Sequence, residues 1–330
     1  MSRLYNNPSV HMKNPELVEK KLKQMAVDGL DRLMIISDFD FTLSRHKDKN
    51  GEKCWSTHGV FDAVARVMNP ELKQMFDELY KKYFSIEFCP LMTVEEKVPY
   101  MIEWWDQSHA HIVNAKFSRE TIEGFTSNSR IFLRERAEEL IGALSEHEIP
   151  LIVFSAGIGN IIETVMKNQL GAIPETMHII SNLMIFDDQD ICADFTKPLI
   201  HTFNKNSSVI TGDQPFYNQI VGRTNVILMG DSLGDIHMDV GVEHEGVALK
   251  IGFLNINFDT LLAKYLDSYD IVLVDDQTME IPINILDHLR NSAFIGSRLS
   301  LTCHEEAEKE DVVGVELEEE EEKAAVEVMA

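Results

Sequence analysis

Leu33-Met34-Ile35-Ile36-Ser37-Asp38-Phe39-Asp40-Phe41-Thr42 is the stretch on which the reading of this chain turns. Its apolar first half reads as a buried strand. The two carboxylates at the strand's carboxyl end stand two residues apart and so face the same way. In an open α/β sheet that end borders the crevice where ligands bind. The pattern can hold a nucleophile, a proton donor and a cation ligand in one place.

Three further elements follow in order. Leu151-Ile152-Val153-Phe154 runs into Ser155-Ala156-Gly157-Ile158-Gly159-Asn160, a small-residue turn that opens a helix over Ile161 to Gln169. A hydroxyl and backbone N–H groups at a helix N-terminus suit a phosphate. Lys205 lies in the polar stretch Asn204 to Ser208, and Val226-Ile227-Leu228-Met229 delivers Gly230-Asp231-Ser232-Leu233-Gly234-Asp235, a second carboxylate pair at a strand end. Each element also has an ordinary structural reading. Asp at a strand end often caps a helix, Gly-Asp-Ser and Ser-Ala-Gly are common turns, and a lone lysine is usually solvated. Their succession argues for one site, and Lys205 draws its support from its position between its neighbours. This ordered set resembles the haloacid dehalogenase superfamily of phosphotransferases.

Composition sets the outer limits. The chain has 330 residues, 44% of them apolar, enough for one large core or two smaller ones. Its formal charge is −25; residues 303–330 hold twelve acidic and two basic side chains, a net −10, which leaves −15 for the rest. An acidic body argues against a nucleic-acid backbone as partner. Cys54, Cys89, Cys192 and Cys303 are scattered and form no C-x-x-C pair, so they read as reduced thiols. No apolar stretch approaches the ~18 to 20 residues of a membrane span. A soluble, cytoplasmic monomer that engages neither membranes nor polymeric nucleic acid is expected.

Helical spacing over Pro15 to Met25 leads into the first strand, and β-like runs recur at Ile149–Phe154, His178–Ser181, Asn225–Met229, Val247–Ile251 and Tyr269–Val274. Helical patterns at Phe258–Leu266 and Met279–Leu289 separate or follow them. The alternation predicts an α/β fold, a doubly wound, mainly parallel Rossmann-like sheet. From about Lys47 to Leu144 the patterns are helical instead: Pro70–Phe84, Val94–Trp105, Ser118–Ser127 and Arg130–Leu144. The expected division is an α/β core from residues 1–46 and 145–300, a helical cap from 47–144, and a disordered acidic tail over 301–330. A cap beside the Asp pair would exclude water and read the leaving group; alternatively it only completes the fold.

A carboxylate can attack a phosphoryl group and split one displacement into two easier ones. Asp38 is the expected nucleophile, and the superfamily resemblance gives Asp40 the acid/base role. Asp38, the backbone carbonyl of Asp40 and Asp231 offer hard oxygens suited to Mg²⁺. Asp235 would hold a metal-bound water or orient Lys205. Ser155, the Ala156 N–H and Lys205 would neutralise the phosphoryl oxygens.

A closer resemblance lies in longer strings: Asp38 to Arg45, Ile86-Glu87, Thr93 to Lys97, Glu103-Trp104-Trp105, Phe154 to Gly159, His201 to Lys205 and Leu266 to Leu273. Over about residues 10–290 the chain is similar to the cytosolic 5′-nucleotidase III family, the pyrimidine 5′-nucleotidases. That resemblance implies hydrolysis of a nucleoside 5′-monophosphate and carries Glu87 and Ser108 into the nucleotide pocket. Glu87 could instead cap a helix, and Ser108 could bond back within one. Trp105 matches the tryptophan of the branch that also accepts 7-methylguanosine monophosphate, while His58 matches the branch that prefers CMP and UMP. Activity on both CMP and 7-methyl-GMP is therefore expected, although Trp105 could be plain core. Two other readings stay open: a phosphatase for another small phosphate ester, against which Glu87 and Trp105 speak, and a catalytically silent binding protein, against which the intact Asp38, Asp40, Lys205 and Asp231 speak.

Overall fold

The strand Leu33–Ser37 is buried at every position, and its alternate side chains enter different cores. Leu33 and Ile35 join one apolar cluster, Met34 and Ile36 another. A strand covered on both faces needs a continuous apolar run rather than alternation. The computed structural model, which describes residue 4 and residues 6–87, 89, 91–206, 216–239 and 246–292, sets this strand inside a seven-stranded sheet.

Numbered along the chain, the strands are β1 (Val10–His11), β2 (Leu33–Ser37), β3 (Leu151–Ile158), β4 (Met177–Asn182), β5 (Met184–Phe186), β6 (Cys192–Phe195), β7 (Asn225–Gly230), β8 (Ala248–Leu254) and β9 (Ile271–Val274). The sheet order is β1-β9-β8-β7-β2-β3-β4, with β5 and β6 paired separately as an antiparallel hairpin. Every neighbour in the large sheet is parallel except β1, which runs antiparallel to β9. The chain thus steps outward from β2 to β4, returns to β7 beside β2, and steps outward the other way to β9. The reversal lies between β2 and β7, and the carboxyl ends of strands at such a switch point frame a ligand crevice.

Helices cover both faces. The longer ones, numbered in the same way, are α1 (Pro15–Asp28), α2 (Thr57–Met68), α3 (Pro70–Glu87), α4 (Val94–Asn114), α5 (Arg119–Ser127), α6 (Ala137–Glu146), α7 (Gly159–Leu170), α8 (Phe258–Ser268) and α9 (280–292). Asn14 starts α1 by accepting from Leu17 N, with Pro15 in the first turn, where its missing N–H costs nothing. Val18 and Leu22 of α1, Leu140 of α6 and Ile161 of α7 fill the cluster under Leu33 and Ile35, whereas Tyr265 of α8 joins that of Met34 and Ile36.

Between β2 and β3 the described residues form helices and isolated bridges only. Val60, Phe61, Ile112 and Ile122 of this stretch merge with the Leu33 core, and Leu79, Tyr83 and Met101 make a smaller cluster with Trp104 and Trp105. The helix read over Arg130–Leu144 begins only at Ala137. The preceding residues are held extended by long-range bonds: Leu133 N to Gln169 Oε1 at 2.9 Å, and Arg134 N to Leu43 O at 2.9 Å. Among the described residues no helix is long and apolar enough to cross a membrane. The acidic segment 301–330 lies outside the described residues.

Candidate active site

Asp38 emerges from β2 at the switch point, its backbone N donating to Met229 O of β7 at 3.0 Å. The chain then makes one tight turn over Phe39–Leu43, inside which Phe41 has φ 62° and ψ 11°. That is the left-handed region, costing a residue with a Cβ roughly 1–2 kcal/mol. The turn sends the Asp40 side chain toward the first residues of α2. Asp40 Oδ1 accepts from Thr57 N and Oδ2 from Thr57 Oγ1, both at 2.8 Å. Asp40 therefore caps a helix, but one that begins seventeen residues later. Burial pushes its pKa up to about 6, partly offset by the Thr57 bonds; a carboxyl in that range can give and take a proton near neutrality.

Asp231 and Asp235 leave the neighbouring strand, β7, and approach Asp38 so that one carboxylate oxygen of each lies within 4.8 Å of the others. Lys205 bridges two of them: Nζ is 2.5 Å from Asp38 Oδ1 and 2.8 Å from Asp235 Oδ1. The second Asp235 oxygen accepts from Asp231 N at 3.2 Å and from Ser232 N and Oγ at 2.9 Å. Asp235 is thus occupied as a support for Lys205 and the Asp231 turn. Burial, then the other two carboxylates, holds the Asp231 pKa well above its ordinary range. Burial lifts Asp38 to about 7 against the pull of Lys205. Burial alone would lower the Lys205 pKa, but Asp235 and Asp38 outweigh it and hold it high. One ammonium among three crowded carboxylates leaves net negative charge on hard oxygens, a donor set that fits a divalent hard cation such as Mg²⁺.

Ser155 lies in the carboxyl-terminal half of β3, where the register with β4 shifts between Phe154 and Ile158. Such an irregularity re-aims side chains beside a site. Ser155 Oγ accepts from Gly157 N at 3.0 Å. A Cβ on Gly157 would fall 2.2 Å from Thr57 Oγ1 and 2.9 Å from Asp40 Oδ2, so only glycine fits there. Thr57 Oγ1 also accepts from Ile158 N at 3.2 Å. One threonine thereby ties the Asp40 carboxyl to the Ser155 turn.

These groups lie on a cavity of about 680 Å³ lined by Asp38, Asp40, Ser155, Ala156, Lys205 and Asp231, and also by Glu87, Ser108, Trp105 and His58. Every residue singled out from the sequence except Asp235, which is fully buried behind Lys205, reaches this one space. Glu87, the last residue of α3, accepts from Thr202 Oγ1 at 2.8 Å through Oε1. Burial raises its pKa, opposed by that bond. Trp105 of α4 donates Nε1 to Ala156 O at 2.8 Å. Its ring meets His58 edge to face, with centroids 6.0 Å apart at 78°. Burial lowers the His58 pKa to about 4, so the imidazole is neutral at pH 7. Trp104 stacks on Tyr83 at 5.8 Å, and it too borders the cavity together with Tyr80 and Phe84.

The structure adds residues that the sequence reading passed over. Thr57 holds Asp40, Thr202 holds Glu87, and Tyr265 and Tyr269 donate to the carbonyls of Asp231 and Ser232, each at 2.5 Å. Thr57 was within reach, since it opens the apolar-periodic run Val60, Phe61 and Val64. Nothing local marks Tyr265, which arrives from α8; Tyr269, just past the end of α8, lies in the string Leu266 to Leu273 but carried no role there.

Comparison with known proteins accords with this geometry. Residues 41–290 match the model of the pyrimidine 5′-nucleotidase (UMPH-1) family. The chain is 49% identical over 294 residues to a putative cytosolic 5′-nucleotidase 3 of Caenorhabditis elegans, covering 88% of this chain and 78% of that one. It is 38% identical over 281 residues to the 7-methylguanosine phosphate-specific 5′-nucleotidase of Homo sapiens, covering 85% and 92%. The crystal structure of cytosolic 5′-nucleotidase IIIB bound to cytidine superposes with a TM-score of 0.80 at 34% identity, over 88% of this chain and 96% of that one. The chain belongs to the pyrimidine 5′-nucleotidase family and is a 5′-nucleotidase, a phosphoric monoester hydrolase.

Proposed function

We propose that this 5′-nucleotidase hydrolyses nucleoside 5′-monophosphates with a Mg²⁺ cofactor, by attack of Asp38 on the phosphoryl group and with Asp40 as acid and base. The carrying observation is that the Asp38, Asp231 and Lys205 cluster shares one cavity with Glu87, Ser108, Trp105 and His58. Asp38 displaces the nucleoside from phosphorus to give an aspartyl-phosphate, and the Asp40 proton passes to the leaving 5′ oxygen. Asp40 then takes a proton from the water that releases phosphate and restores Asp38. Lys205, the Ser155 hydroxyl and the Ala156 N–H bind the phosphoryl oxygens. Asp38, the Asp40 carbonyl and Asp231 would hold Mg²⁺, which supplies charge neutralisation at the phosphoryl group when bound. Asp235 keeps Lys205 oriented, a role supported by the 2.8 Å contact between them.

Residues 47–144 act in this reading as a cap over the crevice. The bond from Thr202 leaves one Glu87 oxygen for the base, where a carboxylate favours partners offering an amine or ring N–H. Trp105 is the better face for a cationic ring, and neutral His58 tolerates either kind of base. CMP and 7-methyl-GMP are both substrates on this reading. The relatives are named for 5′-nucleotidase and 7-methylguanosine phosphate activities, and the matched structure holds cytidine. A cytoplasmic location is supported by the cytosolic name of the worm relative.

The test is phosphate release from CMP, UMP, AMP, GMP and 7-methyl-GMP side by side, with Mg²⁺ and then with EDTA. Metal-dependent release favouring CMP or 7-methyl-GMP is expected. Equal release in EDTA would remove the cofactor from the scheme, and preference for AMP or GMP would remove the base assignment.

A further inference from the structure

Arg134 is the largest fully buried side chain of the described residues, 1% exposed, yet it forms no salt bridge among them. Burying a guanidinium is costly unless its donors are met. Here four of the five are met by neutral oxygens: Thr42 O at 2.6 Å from Nε, Phe41 O at 2.5 Å from Nη2, Asn255 Oδ1 at 2.9 Å from Nη2, and Asp276 O from Nη1. The planar group also lies 4.1 Å over the Phe253 ring. Two of its four acceptors belong to the turn that directly follows Asp40. Asn255 Nδ2 adds a second donor to Phe41 O at 3.0 Å.

Phe41 is the residue of that turn with positive φ, a conformation glycine adopts freely and an aromatic residue does not. The Asp40–Phe41 peptide, with Asp40 ψ 116° and Phe41 φ 62°, fixes where the Asp40 carbonyl and side chain point relative to Asp38. The fork of Arg134 clamps the carbonyls on the far side of it. We propose that Arg134 is a positioning residue for the nucleotidase centre: with Asn255 as its partner it holds Phe41 left-handed and so fixes the Asp40 carbonyl and carboxyl against Asp38. The inference rests on the assignment of Asp38, Asp40 and the Asp40 carbonyl made above. It also explains why an arginine stands at this point. A fork reaching several carbonyls in one plane cannot be replaced by the single ammonium of lysine.

The experiment uses the full chain and four variants: Arg134→Lys, Asn255→Ala, Phe41→Gly, and Arg134→Lys combined with Phe41→Gly. For each, kcat and KM for CMP, Mg²⁺ affinity by calorimetry without nucleotide, and the thermal midpoint are measured. Loss of a partner that orients a metal ligand or reacting group typically costs about 10–100-fold in affinity or rate. Arg134→Lys is expected to lower kcat by roughly that factor, with KM changed by less than about threefold, and to weaken Mg²⁺ binding in parallel. In the Arg134→Lys background, Phe41→Gly should recover about tenfold of the lost kcat, because glycine needs no clamp to stay left-handed. If Arg134→Lys fails to fold, Asn255→Ala carries the test, with a loss of roughly three- to tenfold in kcat. Unchanged kcat and Mg²⁺ affinity, or a kcat loss that tracks the thermal midpoint and is not relieved by Phe41→Gly, would overturn the proposal. Full turnover by Asp40→Asn would instead overturn the assignment beneath it, a result the Arg134 variants cannot mimic.

Discussion

At the scale of single residues, the centre is built against stability. Asp38 has its pKa pushed up to about 7 chiefly by burial, so its charged form is held in a site that disfavours it. A carboxyl whose folded pKa lies above its unfolded one takes stability away as pH rises through that window. Asp38→Asn removes the charge and keeps the shape. It should abolish phosphate release while raising the thermal midpoint in EDTA at pH 8 by a few degrees. Normal turnover would refute the nucleophile, and a lower midpoint would refute the charge account. Thr57 makes a second residue-scale case. Its hydroxyl donates to Asp40 at 2.8 Å and accepts from Ile158 N at 3.2 Å. Thr57→Val leaves both partners unsatisfied in a buried place, and kcat should fall by about tenfold or more. Thr57→Ser keeps both bonds and should retain most of the rate; equal losses in the two variants would mean that the methyl group, not the hydroxyl, matters.

At the scale of elements, what the sequence disclosed and what it hid follow one physical division. β2, β3 and β7 were legible because each is an apolar run ending in polar residues, a signal carried by neighbours in the chain. Asp38, Ser155 and Asp231 were legible for the same reason, since each directly ends such a run. The start of helix α2 was not marked locally, because its N-terminus is capped by Asp40 from the other side of a loop while the adjacent Ser56 side chain makes no cap bond. The start of α6 was misread because Gln169 and Leu43, distant in sequence, hold residues 131–134 extended. Tyr265, Arg134 and Asn255 act on the site only through tertiary contact, and no local pattern announces them. Glu87 stands between the two cases: the string Ile86-Glu87 drew attention, but its partner Thr202 comes from the loop before Lys205. On the proposed function, Glu87 at the end of α3 reads the base rather than the phosphate. Glu87→Ala should lower kcat/KM for CMP by roughly a hundredfold and for a generic aryl phosphate by no more than about threefold. Equal losses on both substrates would show that Glu87 supports the centre instead.

At the scale of the whole molecule, folding stability couples to pH through groups with opposing signs. Asp38, Asp231 and Glu87 have raised pKa values and are more easily accommodated protonated, so they add stability as pH falls through their folded values. Histidines withdrawn from water act the other way. Burial lowers His46, His58 and His201 to about 4 and His109 to about 3, and the unfolded chain therefore takes up protons near 6.5 that the folded chain refuses. His109 isolates this contribution well. It is 6% exposed, stacked 3.7 Å from Phe195, and neither ring nitrogen has a hydrogen-bond partner among the described residues. Its sign is fixed: full stability above about pH 6.5, lost progressively below it until the folded pKa is reached. His109→Phe preserves the stack and deletes the titration. Urea unfolding of both proteins at pH 7.5 and pH 5 should show the variant gaining on the parent by roughly 2 kcal/mol as pH falls, the value set by 1.5 units between 6.5 and 5. Comparing the two chains at each pH cancels the carboxylates, which both share. A difference that does not change between the two pH values would mean that His109 binds its proton equally in the folded and unfolded chain, and that its burial carries no electrostatic cost.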